Sequence, residues 1–167
     1  MKLISYIALD GLTINGSTFA YAMKLASYSA ILGIPDRSEP IGRPAPYGHR
    51  NNVIHYYDQL GLFLREHHST GLIDGIEFVF EPAQCPFPIK LPYSGELTIC
   101  GVMIEGASPF SDFLRQSKTV FLPHLGHAWY SDGEFMSIQV EVSRPKRKQS
   151  QVGEKVLAVS VGFIRNS

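Results

Sequence analysis

The stretch DGLTINGSTFAYAMKLASYSAIL, residues 10–32, carries the signals from which we predict the fold. Asp-Gly and Asn-Gly are hairpin-turn dipeptides, and they bracket a short apolar strand at residues 12–14. Thr18 predicts a helix N-cap, and apolar residues follow at helical spacing until a Gly-x-Pro stop at residues 33–35. We therefore predict two paired strands and then a helix that ends at Leu32.

The same pattern recurs in the second half of the chain as CGVMIEGASPFSDFL, residues 100–114. There Ser108 predicts a second N-cap, with Pro109 at the first helical position. The two copies share turn glycines, apolar strand residues and a capping hydroxyl: Gly11 and Gly101, Leu12 and Val102, Ile14 and Ile104, Gly16 and Gly106, Thr18 and Ser108. Such a repeat predicts two units that share one core.

The rest of the chain favours strands. Residues 1–82 form the first predicted unit, 83–92 a Pro-rich connector, and 93–167 the second unit, all within one domain. Each unit is predicted as β-β-α-β-β-β, which gives an α+β fold of mostly antiparallel sheet with one helix packed per unit. In the strand that ends the first unit, Ile76 and Phe78 are expected to face the core and Glu77 to face away. Residues 34–51 are predicted to be a long surface loop.

Composition is that of an ordinary folded protein, with 44% hydrophobic and 18% charged residues in 167. Fifteen basic residues balance fifteen acidic ones, so we expect no nucleic-acid partner. The basic run at residues 144–148 is more typical of a solubilising loop. No secretion signal or membrane span is indicated, which predicts a cytoplasmic location and no membrane partner. Cys85 and Cys100 suit neither a disulfide scaffold nor a metal site.

Charge is uneven along the chain. Residues 51–106 carry seven acidic and two basic side chains, and the flanks are mildly basic. Either this acidity only solvates exposed strand faces, or it forms a surface for a basic partner. The aromatic pairs at residues 56–57 and 129–130 each precede an acidic turn, and alternation predicts that one ring of each pair faces outward. The alternative is that both rings cover the second face of the sheet or pack between the two copies. The predicted partner contacts are Tyr56, Asp58, Glu66, Asp74, Trp129, Asp132 and Glu134.

Catalytic signals are weak. His124 and His127 lie close to Asp132 and Glu134, and they are the candidates for a metal-dependent or ligand-binding enzyme. An isolated H-x-x-H is more typical of turn histidines without a metal. The sequence contains no nucleophile elbow and no phosphate-binding loop, so neither a catalytic residue nor a cofactor is predicted.

One resemblance bears on function. The runs DGLTINGST, NNVIHYYDQLGL and TGLIDGIEF, within residues 9–81, resemble small bacterial cytosolic immunity proteins that accompany secreted antibacterial toxins. The helix-and-sheet repeat is similar, in architecture only, to bacterial proteins that inhibit β-lactamases with a concave sheet. The resemblance implies a non-enzymatic inhibitor, without a cofactor, that occludes the active site of a toxin delivered by type VI or contact-dependent secretion. A third hypothesis is an assembly component that uses its sheet edges.

Overall fold

The computed structural model describes residues 3–8, 11–19, 22–42, 51–105, 108–117, 122–124, 127–131, 136–142 and 155–163. Within these ranges it contains strands, two short α-helices and a 3₁₀ turn at Pro82–Gln84. The helices are α1 (Leu25–Leu32) and α2 (Phe110–Gln116). The strands are β1 (Ile4–Ala8), β2 (Gly11–Ile14), β3 (Ser17–Phe19), β4 (Arg37–Pro40), β5 (Val53–Tyr57), β6 (Leu62–Glu66), β7 (Ile73–Val79), β8 (Glu96–Ile99), β9 (Val102–Ile104), β10 (Leu122–His124), β11 (His127–Ser131), β12 (Met136–Val142) and β13 (Val156–Phe163).

The strands form two sheets. The small sheet has five strands in the order β3-β2-β1-β8-β9, and the large sheet has eight in the order β10-β11-β12-β13-β7-β6-β5-β4. Only β1 and β8 run parallel among the described pairs, and every other pair is antiparallel. The prediction of an α+β fold with mostly antiparallel sheet is therefore confirmed.

The core lies between the two sheets. In β1, Ser5 and Ile7 are buried while Ile4 and Tyr6 are exposed, which is the two-residue period of a half-buried strand. One apolar cluster joins residues of both sheets, both helices and both halves of the chain. Ile76 of β7 belongs to this cluster, and Glu77 lies on the opposite face, as predicted. We call that opposite face the outer face of the large sheet.

The outer face of the large sheet is partly covered by the Pro-rich segment, residues 82–92. Phe87 packs edge-on against Phe63 of β6 with the ring centroids 5.1 Å apart, and Ile89 is buried in the same small apolar cluster. Because this segment covers one end of the sheet, Tyr56 is only 3% exposed. Tyr57 faces the core and is only 2% exposed. The prediction that one ring of this pair faces solvent is therefore wrong.

The first helix begins later than predicted. Residues 17–19 form β3 instead of a capped helical turn, because Asn15 and Gly16 both adopt the positive φ of a tight hairpin turn. The Thr18 hydroxyl pairs with the Thr13 hydroxyl across this hairpin, at 3.0 Å. The end of the helix agrees with the prediction, since Gly33 follows Leu32 with φ of 86°.

Other boundaries also differ. Residues 37–40 of the predicted loop pair with β5 as β4, and residues 43–50 of that loop lie outside the described residues. Pro109 is the extended residue before α2, and the Ser108 hydroxyl accepts a hydrogen bond from the Glu105 N–H instead of capping the helix. The described halves therefore read β-β-β-α-β-β-β-β and β-β-α-β-β-β-β, not the predicted six-element unit.

Gly61 is the point where the β5–β6 turn meets the Pro-rich segment. Its φ is +70°, and an added Cβ would lie 2.1 Å from the Tyr93 nitrogen. The Gly61 carbonyl accepts from the Val79 N–H, and the Val79 carbonyl accepts from the Tyr93 N–H. A side chain at Gly61 would therefore push the segment away from the sheet.

We expect Gly61→Ala to lower the free energy of unfolding by about 2–5 kcal/mol, because positive φ and backbone overlap both oppose a methyl group. Gly101→Ala is the matched control, since Gly101 has φ of +83° and nothing within 4 Å of its added Cβ. The control should lose only about 1–2 kcal/mol. Urea denaturation measures both values, and equal losses would contradict the close approach at Gly61.

Candidate functional site: a cleft on the outer face of the large sheet

A cleft of about 420 Å³ opens on the outer face of the large sheet, beside the Pro-rich segment. We call it the sheet-face cleft. Its apolar wall includes Ile54, Phe63 and Phe87, and its polar residues include Arg65, Glu77, Gln139, Glu141 and Ser160. A concave surface that combines an apolar wall with a few converging polar groups is typical of a binding site.

Strand register places the polar groups together. Glu77 of β7 lies opposite Ser160 of β13, and Ser160 lies opposite Gln139 of β12. Glu141 is two residues beyond Gln139 and therefore shares its face. Four side chains from three adjacent strands thus converge on one patch, although Glu77 and Ser160 are 83 positions apart in the sequence.

Two facing glycines open the space. Gly75 of β7 pairs directly with Gly162 of β13, and both line the cleft. A Cβ at Gly162 would lie 2.7 Å from the Ser137 Oγ, and one at Gly75 would lie 3.3 Å from the Arg65 guanidinium. Glycine inside a strand often marks such an approach. The cleft exists because these two positions carry no side chain.

Glu77 has an unusual electrostatic environment. Its pKa is raised from the ordinary 4.5 to about 7, mainly by burial and to a lesser extent by the nearby Glu141, while hydrogen bonds from Ser160 and Cys85 and the charge of Arg65 oppose the rise. The Ser160 hydroxyl donates to Glu77 Oε2 at 3.0 Å, and the Cys85 thiol lies 3.8 Å from Oε1. Glu77 is therefore poised to exchange a proton near neutral pH.

Cys85 is not an activated nucleophile. Burial raises the pKa of its thiol to about 11, and the neighbouring carboxyl groups of Glu77 and Glu141 add to that rise. A thiol with this pKa is protonated at neutral pH and reacts slowly.

A buried ion-pair cluster fixes the Pro-rich segment beside the cleft. Asp58 is 1% exposed and accepts hydrogen bonds from Arg37 Nε at 3.0 Å and from the Lys90 backbone N–H at 3.2 Å. The Lys90 ammonium lies 3.4 Å from the same carboxylate. Arg37 also donates to the Pro88 carbonyl and stacks over Tyr56 at 3.5 Å. We call this arrangement the Asp58 strut.

The hydrogen bonds of the strut decide the protonation state of Asp58. Burial would raise its pKa, but donation from Arg37 and Lys90 outweighs burial and holds the pKa below its ordinary value. The carboxylate is therefore charged at neutral pH, and its role in this structure is internal. Asp58 and Tyr56 were both predicted as partner contacts, and the structure places both in the interior.

The other predicted contacts are dispersed. The Glu66 carboxylate, 28% exposed, lies 3.1 Å from His55 Nε2, and Asp74, 14% exposed, lies 2.8 Å from Arg65 Nε. Trp129 of β11 pairs in register with Gln139 of β12, so the backbone of Trp129 lies next to a residue that lines the cleft. Asp132 and Glu134 lie outside the described residues. Asp74 therefore adjoins the cleft through Arg65, Trp129 through Gln139, and Tyr56 through Phe63, whose ring centroid lies 6.0 Å from its own.

The histidine pair falls on a hairpin. His124 of β10 and His127 of β11 are register partners. The proposed metal set also needs Asp132 and Glu134, so it stays a prediction, and the described residues contain no group of three metal-ligating side chains. His55 is buried, and its Nδ1 lies 2.7 Å from the Ser38 hydroxyl.

The cleft residues were largely missed by sequence reasoning. Glu77 was recognised only as an outward-facing strand residue, and the Gln139, Glu141 and Ser160 side chains were not singled out. One signal was available: Gly75 and Gly162 lie inside two predicted strands, and glycine there indicates a close approach or an opening. Their pairing could not be inferred without knowing that β7 and β13 are neighbours.

We expect Asp58→Asn to lower the free energy of unfolding by about 2–4 kcal/mol, because Arg37 and Lys90 lose their buried counter-ion. Asp112→Asn is the matched control, since Asp112 pairs with Arg115 on the surface at 2.9 Å. An exposed pair of this kind contributes about 0.5 kcal/mol. Chemical denaturation of both variants tests the comparison, and equal destabilisation would contradict a structural role for the Asp58 strut.

The raised pKa of Glu77 predicts a pH-dependent stability. Between pH 4.5 and about 7 the folded protein holds a proton that the unfolded chain has released. Stability from this group is therefore complete below pH 4.5 and is lost as pH rises through 7, by up to about 3 kcal/mol. Glu77→Gln should raise the melting temperature at pH 8 relative to wild type and change it little at pH 4.5. Glu105→Gln, at an exposed carboxylate, should show no such difference, and parallel pH profiles for Glu77→Gln and wild type would refute the assignment.

Neither helix in the described part of the chain is long and apolar enough to cross a membrane. No curated protein and no solved structure matches the chain. One family model does match, over residues 6–114, and its description is domain of unknown function DUF7738. The match includes Arg65, Glu77 and the Asp58 strut, and it ends before β12 and β13. Because it spans well over half of the chain, the protein belongs to the DUF7738 family.

Proposed function

We propose that this protein is a non-enzymatic binding protein that neutralises a cognate antibacterial toxin by occluding the active site of that toxin. The observation that carries the proposal is the sheet-face cleft, which presents two carboxyl groups in an open concavity on a large sheet. A negatively charged concavity on a broad sheet suits a basic protein partner, because complementary charge speeds encounter and selects the partner. The resemblance of residues 9–81 to immunity proteins supports the toxin as that partner.

The electrostatic surface near the cleft supports a basic partner in particular. Glu77 and Glu141 both line the cleft, and the charge of Arg65 is balanced by Asp74 at 2.8 Å. An active site that binds nucleic acid or another anionic substrate carries basic side chains, which would be attracted to this patch. Occlusion needs no chemistry from the inhibitor. Such a protein would act in the cytoplasm of the cell that makes it, on a toxin delivered by type VI or contact-dependent secretion.

We also propose that the two halves of the chain are copies of one unit, with residues 1–82 and 93–167 as the copies. The support is the strand order of the large sheet, in which β10-β11-β12-β13 meets β7-β6-β5-β4. Each half also gives a hairpin to the small sheet, β1–β2 and β8–β9, and a helix follows in both. The cleft then lies where the two copies meet, which is a common place for a binding site.

The test is co-expression with toxins encoded by genes adjacent to this one. We expect one such toxin to lose its toxicity and to co-purify with the wild-type chain. Glu141→Lys should weaken that complex at least about tenfold, because it places like charge against a basic partner. Glu105→Lys, a charge reversal at an exposed site after β9, is the matched control and should leave the affinity unchanged. The proposal fails if no adjacent toxin binds and none is neutralised.

A further inference from the structure

We propose that the sheet-face cleft is a receptor for a single guanidinium group, presented by an arginine side chain of the bound partner. The inference rests on the proposed function, which supplies the partner protein that carries the arginine. The preference for a guanidinium group rests on the geometry of the cleft. Three properties of the cleft point to this ligand: its excess of hydrogen-bond acceptors, its charge and its apolar wall.

The hydrogen-bond acceptors of Glu77 and Glu141 outnumber the donors that reach these two carboxyl groups. Ser160 already donates to Glu77 Oε2 at 3.0 Å, and Gln139 Nε2 already donates to Glu141 Oε1 at 3.0 Å. The Cys85 thiol also lies 3.8 Å from Glu77 Oε1. Two carboxyl groups offer more lone pairs than these three donors fill. A guanidinium group has five N–H donors and no acceptor, and its planar fork matches carboxylates. A ligand rich in acceptors, such as a phosphate or a carboxylate, would meet the like charge and the oxygen atoms of Glu77 and Glu141.

The charge of the cleft favours a cation. Arg65 is the basic side chain in the lining, and its Nε lies 2.8 Å from Asp74 Oδ1, which balances its charge. Glu77 and Glu141 are then the charged groups that a ligand meets in this part of the described surface. Electrostatic attraction between these carboxyl groups and a cation is strengthened by their partial burial.

The wall of the cleft suits the rest of an arginine side chain. Phe63 and Phe87 meet at 5.1 Å with an angle of 60° between the rings, and Ile54 adjoins them. Apolar contacts of this kind cover a methylene stem, and an aromatic ring attracts the guanidinium plane. At about 420 Å³ the cleft has room for one long side chain with some neighbouring backbone.

The site must also couple binding to proton release. The groups that face Glu77 are Ser160 from β13, Glu141 from β12, Arg65 from β6 and Cys85 from the Pro-rich segment. With a Glu77 pKa of about 7, a cation that needs the ionised form displaces a proton at lower pH. Affinity for a guanidinium should therefore rise about tenfold from pH 6 to pH 8.

The experiment uses two small probes on the full-length protein, Nα-acetyl-arginine amide and Nα-acetyl-citrulline amide. Citrulline has nearly the same shape but carries a neutral urea in place of the guanidinium. Binding is followed by backbone amide chemical shifts at pH 6 and pH 8. We expect the arginine probe to bind at least about tenfold more tightly than the citrulline probe at pH 8, because charge-assisted hydrogen bonds to carboxylates are strong. Shifts should concentrate in β7, β12 and β13.

Variants test whether the arginine probe binds in the cleft. Glu77→Gln should weaken the preference for arginine and remove its pH dependence, and Glu141→Gln should weaken the preference without removing the pH dependence. Glu105→Gln should behave as wild type. Equal binding of the two probes, or shifts confined to residues outside β7, β12 and β13, would overturn the inference even if one variant failed to fold.

The two proposals can fail separately. If the arginine probe binds in the cleft and no adjacent toxin is neutralised, the proposed function is wrong and the cleft chemistry stands. If a toxin is neutralised and Glu77→Gln neutralises it equally well, while both probes bind alike, the inference is wrong and the proposed function stands.

Discussion

The antiparallel pairing of β7 with β13 is the contact on which the rest of the structure depends. It joins four strands from the first half of the chain to four from the second, so that one large sheet forms. The same pairing sets Glu77 opposite Ser160 and Gly75 opposite Gly162. A shift of one residue in this register would turn the cleft side chains of β12 and β13 toward the core while those of β6 and β7 stayed in place. The core-facing residues Ile76 and Val161 prevent that shift, because both are almost fully buried.

A second constraint fixes the shape of the outer face. A Pro-rich segment cannot supply a central strand, and here it lies across the sheet and is held through its backbone. Asp58 accepts a hydrogen bond from the Lys90 backbone N–H, and Arg37 donates one to the Pro88 carbonyl. Charged side chains therefore anchor a segment that has little regular structure of its own. The segment supplies Phe87 to the wall of the cleft. Its position therefore decides how much of the sheet stays open to a ligand.

Local signals in the sequence were sufficient for most elements and insufficient for the site. Alternation located β7, and the Gly33 stop located the end of α1. The start of α1 was misplaced because Thr18 suits an N-cap and a hairpin strand equally well, and the Asn15-Gly16 turn decided between them. The prediction that Tyr56 and Asp58 contact a partner fails because the sequence does not indicate that a distant proline-rich segment covers them. The cleft depends on the pairing of β7 with β13, which no local pattern encodes.

The strand order also has a consequence for how the chain acquires its structure. β1 pairs with β8, which begins at Glu96, and β7 pairs with β13, which begins at Val156. Folding therefore requires the closure of long loops, which is slow in proteins dominated by non-local contacts. Until β13 is synthesised, β7 presents an unpaired and largely apolar strand edge, which is a template for unwanted association between nascent chains. The Glu77 carboxyl group at the middle of that edge is then exposed to water and ionised, which makes the edge more soluble during this interval.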